Sequence, residues 1–135
     1  MPVPYDSTTD WHSGTRYGPS AILEASQNME LYDLEADREI HKIGIHTLNF
    51  IQPAMEGPSG MVDRVRDAAL EMLKEDKFVV MLGGEHSITL GQVQALLTRY
   101  PTLTVLQLDA HTDLRDSYLG TKYSHACIMR RLWEI

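Results

Sequence analysis

Residues 78–109 constrain the fold more than any other stretch. Phe78 to Leu82 is apolar throughout and closes on Gly83-Gly84. Ser87 to about Arg99 then carries Val93, Leu96 and Leu97 at helical spacing, and Pro101 ends that segment. Leu103 to Leu108 is a second largely apolar run, ending at Asp109. Strand, helix and strand in that order predict a βαβ unit with parallel strands. Strands apolar on both faces need helices on both sides of the sheet. Right-handed crossovers bring the strand C-termini to one edge, where ligands bind in sheets of this kind.

The remaining residues extend the alternation. Residues 1–15, with Pro2, Pro4, Gly14 and several hydroxyls, read as irregular. Pro19 suits a first helical turn, and Ala21, Ile22, Ala25 and Met29 follow at helical spacing. Residues 43–48 read as a short strand and 51–60 as a Pro/Gly loop. Met61, Val62, Val65, Ala69, Met72 and Leu73 share one face of the clearest helix. A loop over 114–123 precedes a last helix starting near Ser124. The expected fold class is α/β, with helices layered on a parallel sheet.

Composition narrows the possible partners. The 135 residues are 43% hydrophobic, enough for one packed core and against intrinsic disorder. A net charge of −7 argues against nucleic acid or an anionic membrane and permits a cationic substrate. The tyrosines form no pattern for stacking bases. The longest apolar run, Phe78 to Leu82, is too short to span a bilayer. Residues 1–20 do not read as a signal peptide. One cysteine, Cys127, excludes an internal disulfide framework, and a reducing, cytoplasmic setting is expected. Cys127 reads as a buried helix residue.

Two segments at the expected strand ends carry chemistry: Gly83-Gly84-Glu85-His86-Ser87 and Asp109-Ala110-His111-Thr112-Asp113. Singly, His86 reads as a hydrogen-bonded loop residue, and Asp109 and Asp113 as helix N-caps following a strand. Together, two carboxylates and two imidazoles at one edge are costly to desolvate without a counter-charge, which a metal ion supplies. Carboxylate and imidazole without thiolate suit Mn²⁺, with Fe²⁺, Co²⁺ or Zn²⁺ as substitutes. Two such ions sharing a carboxylate lie roughly 3.5 Å apart and make a water nucleophilic at neutral pH.

GGEHS, DAHTDLRD and YSHACIMRR, with GTRYGPSAI upstream, occur in the order in which the ureohydrolase family of arginases and agmatinases carries such segments. The chain resembles that family over essentially its whole length, and agmatinase-type members most. The resemblance implies a three-layer α/β/α fold with a parallel sheet. It implies two Mn²⁺ ions, with His86 and Asp113 on the first, Asp109 bridging and His111 on the second. His125, fourteen residues past His111, matches the histidine that shuttles protons in the family. From the residues alone it reads first as a helix-start residue that caps or packs. Glu85 stands where many members have Asp and is expected to support the ligands rather than join them. Arg115 and Asp116 lie on the loop that shapes substrate choice in the family, or form a solvated surface pair. Arg16, Gly18 and Pro19 match a structural segment.

The family pattern also contains a later S-x-D-x-D segment and a later Glu at the substrate, and neither occurs in these 135 residues. Residues 1–135 are therefore expected to be the N-terminal half of a single ureohydrolase domain, with the sheet incomplete. The activity implied is hydrolysis of a small cationic guanidino substrate, first agmatine to putrescine and urea, as in polyamine biosynthesis. Arginine, guanidinobutyrate and related compounds are alternatives. A second reading is a non-catalytic fragment that acts by association. The expected partners are copies of itself or a missing C-terminal half. A third is another metal hydrolase on a similar sheet, such as a deacetylase-like enzyme.

Overall fold

The structure, a computed structural model, describes residues 1–135. Two strands, β1 (Pro2–Val3) and β2 (Leu82–Gly83), pair in parallel with Pro2 opposite Leu82. Four helices complete the chain: α1 (Gly18–Ser26), α2 (Pro58–Lys74), α3 (Thr89–Leu97) and α4 (Ile128–Trp133). Short 3-10 turns occupy Thr15–Tyr17, Ile40–Ile43, His86–Ile88 and His125–Cys127. No helix is long and apolar enough to cross a membrane.

The parallel pairing agrees with the α/β expectation, but the partner of the Phe78–Leu82 run was missed. That partner is the N-terminus, read from sequence as irregular. Met1, Val3 and Tyr5 are buried in the main core, and the N-terminal ammonium donates to the Val80 carbonyl at 2.8 Å. Pro2 and Pro4 mask the signal, because proline is depleted from strands yet tolerated where its missing N–H faces no acceptor. On the other side of β1, Ile51 N–H donates to the Pro2 carbonyl at 3.0 Å.

Residues 43–48 and 103–108 belong to no strand, contrary to expectation. A strand is defined by its ladder, and these runs have no hydrogen-bonded neighbour in the chain. Most of their apolar side chains stand in solvent, Ile45 73% and Leu108 90% exposed, while Leu48 is half-buried against the main core.

The main core joins α2 to the sheet and α3. Met61, Val65 and Ala69 of α2 pack with Val3, Tyr5, Ile88 and Ala95. The expected stripe on α2 is therefore the buried one, with the helix starting three residues before Met61, at Pro58, where proline's fixed φ suits a first turn. On α3 the buried positions are Leu90, Gly91 and Ala95; Val93, Leu96 and Leu97 are only half-buried. Gly91 permits the close crossing: a Cβ there would strike the Val62 carbonyl and lie 2.9 Å from Arg66 N. Helix α1 ends before Met29 and buries only Pro19, leaving Ile22 exposed. A second small cluster joins Val62, Leu90 and Ile128, fixing α4 against α2 and α3.

Candidate metal centre

The site begins where β2 ends. Gly84 turns the chain at φ +64°, and a side chain there would lie 2.6 Å from the Tyr5 carbonyl and 2.7 Å from that of Val3. Glycine is required on both counts. The Glu85 N–H then donates to the Tyr5 carbonyl at 2.8 Å, and His86 opens the 3-10 turn into α3. From the other segment, Asp113 sits at φ 49°, a left-handed conformation that Asp tolerates. Its carbonyl accepts from Met129 N–H at 3.0 Å and Arg130 N–H at 3.3 Å, so the first turn of α4 anchors it.

Three of the four expected ligands converge. His86 Nδ1 lies 2.6 Å from Asp113 Oδ2 and 3.4 Å from Asp109 Oδ2. One ligand atom from each of His86, Asp109 and Asp113 falls within 4.8 Å of the others. The Asp113 side chain is 9% exposed and that of Asp109 23%. His111 stands apart: its side chain is 82% exposed, and its Nδ1 is 3.7 Å from the opposite oxygen of Asp109, Oδ1. Asp109 thus has one carboxylate oxygen toward each imidazole.

Hydrogen bonds hold Asp109 in its charged form. The His111 backbone N–H donates to Oδ1 at 2.8 Å and the Gln107 amide to Oδ2 at 3.2 Å. These contacts, with the two imidazoles nearby, keep its carboxyl below the usual range. Gln107 carried no sequence signal beyond its place in an apolar run. The site opens on a cleft of about 480 Å³ lined by Gly84, Glu85, His86, Leu106, Leu108, Asp109 and Met129 among others.

The donor set fits a divalent cation. One nitrogen and two carboxylate groups converge in a cleft, and no thiolate is near. Such ligands suit manganese-type ions better than a structural zinc.

Glu85 and His125 meet through a residue that the sequence did not single out. Glu85 is buried, and its carboxylate accepts from Thr8 N–H at 2.6 Å, Thr8 Oγ1 at 2.6 Å and Ser87 Oγ. Thr8 Oγ1 in turn accepts from His125 N–H at 3.0 Å and lies 3.4 Å from His125 Nδ1. The His125 ring stands edge-on to Tyr118, centroids 5.9 Å apart. Tyr118 donates to Asp10 Oδ2 at 2.5 Å, which raises its phenol above the usual range. Thr8 and Asp10 lie in the hydroxyl-rich opening segment, where no periodicity distinguishes them.

The Arg115 guanidinium lies over the Tyr118 ring, 4.5 Å from its centroid, and its backbone N–H donates to the Ala126 carbonyl at 3.2 Å. Asp116 is tied to Arg131 at 2.9 Å and to Lys122 at 3.8 Å. Asp6 is buried and pairs with the Arg16 guanidinium, while Gly14 N–H donates to its Oδ2 at 2.7 Å. Arg16 first, then these amides, hold its carboxyl below the usual range. This closes the loop that carries Thr8.

The arginase family model matches residues 1–135. The N(1)-aminopropylagmatine ureohydrolase of Synechocystis is 42% identical over 100% of this chain and 46% of its own length. The agmatinase of Bacillus cereus is 32% identical over 98% of this chain and 46% of its own length. Among solved structures, the agmatine ureohydrolase of Thermoplasma volcanium superposes with a TM-score of 0.84 at 32% identity, covering 98% of this chain and 44% of that one. The chain spans about half the length of the curated relatives it matches. Its fold is the α/β fold of those structures, in part. Agreement of the family model with all of residues 1–135 establishes that the chain belongs to the arginase family.

Proposed function

We propose that the chain is the N-terminal half of a single ureohydrolase domain that hydrolyses a small cationic guanidino compound with two Mn²⁺ ions. The convergence of His86, Asp109 and Asp113 within 4.8 Å carries this reading. In it, His86, Asp113, Asp109 and His111 would hold the ions, Asp109 having one carboxylate oxygen toward each imidazole. Bound there, manganese supplies Lewis-acid chemistry that makes water nucleophilic near neutral pH. The overall reaction adds one water across the guanidinium carbon and breaks its bond to the alkyl amine. Urea and a primary amine leave. His125 carries the proton to the departing amine, a task suited to an imidazole. Glu85 holds the turn that presents His86, and Arg115 borders the substrate.

The first substrate is agmatine, giving putrescine and urea. N(1)-aminopropylagmatine is the second, because the relative acting on it is the more identical of the two curated ones described. Both are cationic, in keeping with the acidic balance of the chain. The cysteine usage supports a cytoplasmic setting.

Urea release tests the reading. Each substrate is supplied with Mn²⁺ to the chain alone and after mixing with a C-terminal half from a relative. Urea from either mixture supports hydrolysis, and the ratio of rates assigns the substrate. No urea in any mixture removes the enzymatic reading for this chain.

A second reading, association without catalysis, draws on the exposed apolar side chains of Phe78 (94%), Leu106 (83%) and Leu108 (90%). Copies of the chain or the missing half would cover them. Light scattering after size exclusion separates the cases: a stable monomer that ignores an added C-terminal half counts against it.

A further inference from the structure

We propose that Thr8 is a positioning residue that sets the tautomer of His125 by linking it to the Glu85 carboxylate. The inference rests on the proton-carrying role assigned to His125 above and names what prepares that ring for it. A threonine hydroxyl has one proton and two lone pairs. Here the proton is committed. Thr8 Oγ1 is 2.6 Å from Glu85 Oε1, too close for two oxygens without a hydrogen between them. Every other contact of that carboxylate is also a donor: Thr8 N–H on Oε2 and Ser87 Oγ on Oε1.

Toward His125 the hydroxyl therefore offers lone pairs only. One accepts the His125 backbone N–H at 3.0 Å. The other faces Nδ1 at 3.4 Å, a longer contact that is favourable only when Nδ1 carries the proton. The neutral ring then has its single basic atom at Nε2. Free histidine in water favours the opposite form, with the proton on Nε2, so the arrangement reverses the intrinsic preference. The edge-on Tyr118 ring limits rotation of the imidazole away from Thr8. Thr8 itself is fixed because its N–H and hydroxyl bond both oxygens of one buried carboxylate.

The test reads nitrogen shifts of the His125 ring in the ¹⁵N-labelled chain. It is run without metal or substrate, at an alkaline pH where the shifts themselves report a neutral ring. The expected result is a predominant Nδ1–H form. Thr8→Val, which keeps the shape and loses the hydroxyl, shifts the ratio toward Nε2–H by about fivefold, as loss of one net hydrogen bond predicts. Thr8→Ser restores it. A wild-type ring predominantly protonated at Nε2 overturns the proposal. So does a ratio unchanged in Thr8→Val. Because no turnover is needed, a chain that releases no urea yet shows Nδ1–H His125, sensitive to Thr8→Val, supports this assignment while removing the hydrolytic one.

Discussion

His86 Nδ1 and Asp113 Oδ2 stand 2.6 Å apart although 27 residues separate them in the chain. The contact joins the turn after β2 to the start of α4. Each partner is set by backbone: His86 by the glycine turn behind Glu85, Asp113 by two amides of α4. The pair is thus available to a cation as a preformed edge, with Asp109 completing it.

Unequal losses of metal affinity are expected from this geometry. Asp113→Asn and His86→Ala each weaken Mn²⁺ binding by about tenfold or more, since even groups that only orient ligands cost that much. His111→Ala has the smaller effect on the first ion bound, because its ring lies outside the converging group. Titration with Mn²⁺, followed by water-proton relaxation, checks the order. Equal losses at all three positions would contradict it.

The buried Asp6 carboxylate makes stability depend on acid pH. Its folded-state pKa is depressed below the ordinary 3.8, so its contribution is present above that value and lost as pH falls through the folded-state value. Asp6→Ala leaves the Gly14 amide and the Arg16 guanidinium without their acceptor and costs about 2 kcal/mol at neutral pH. Urea unfolding across an acid series should show the gap between wild type and variant closing only at the low end.

The α2–α3 crossing leaves no room at Gly91. Gly91→Ala places a methyl group against the Val62 carbonyl and Arg66 N. The helices must separate, at about 1–3 kcal/mol. Thermal unfolding measures this, and an unchanged midpoint would show that the crossing is looser than the structure has it.

Cys127 is fully buried beneath the start of α4, with Sγ toward the Thr121 carbonyl. A burial of that kind denies access to thiol reagents. Labelling is expected to be negligible in the native chain and complete in denaturant. Rapid native labelling would mean that the Thr121–Cys127 segment opens.

Local pattern made part of the molecule legible. The stripe of Met61, Val62, Val65 and Ala69 specifies α2 because a helix buries residues at its own period. Ser124 reads correctly as the start of the last helical segment, where its Oγ accepts the Ala126 N–H at 3.1 Å. The strand-like segments at 43–48 and 103–108 form no strand, since local pattern states what a segment can bury and not whether a neighbour is present to pair with it. The strand at Pro2–Val3 was hidden by Pro2 within it and Pro4 just after it. Its partner lies about eighty residues away, beyond the reach of any local signal.

Residue identity at short range was enough for the family and for the glycine turn before His86. Which of the candidate groups meet depended on contacts between distant segments. The tertiary structure joined His86 to Asp113, left the His111 ring in solvent, and placed Thr8 between Glu85 and His125. Those pairings depend on how β1, the loop behind Asp6 and α4 pack against one another. Such packing follows from buried area and paired hydrogen bonds summed over distant segments, which no short stretch of residues contains.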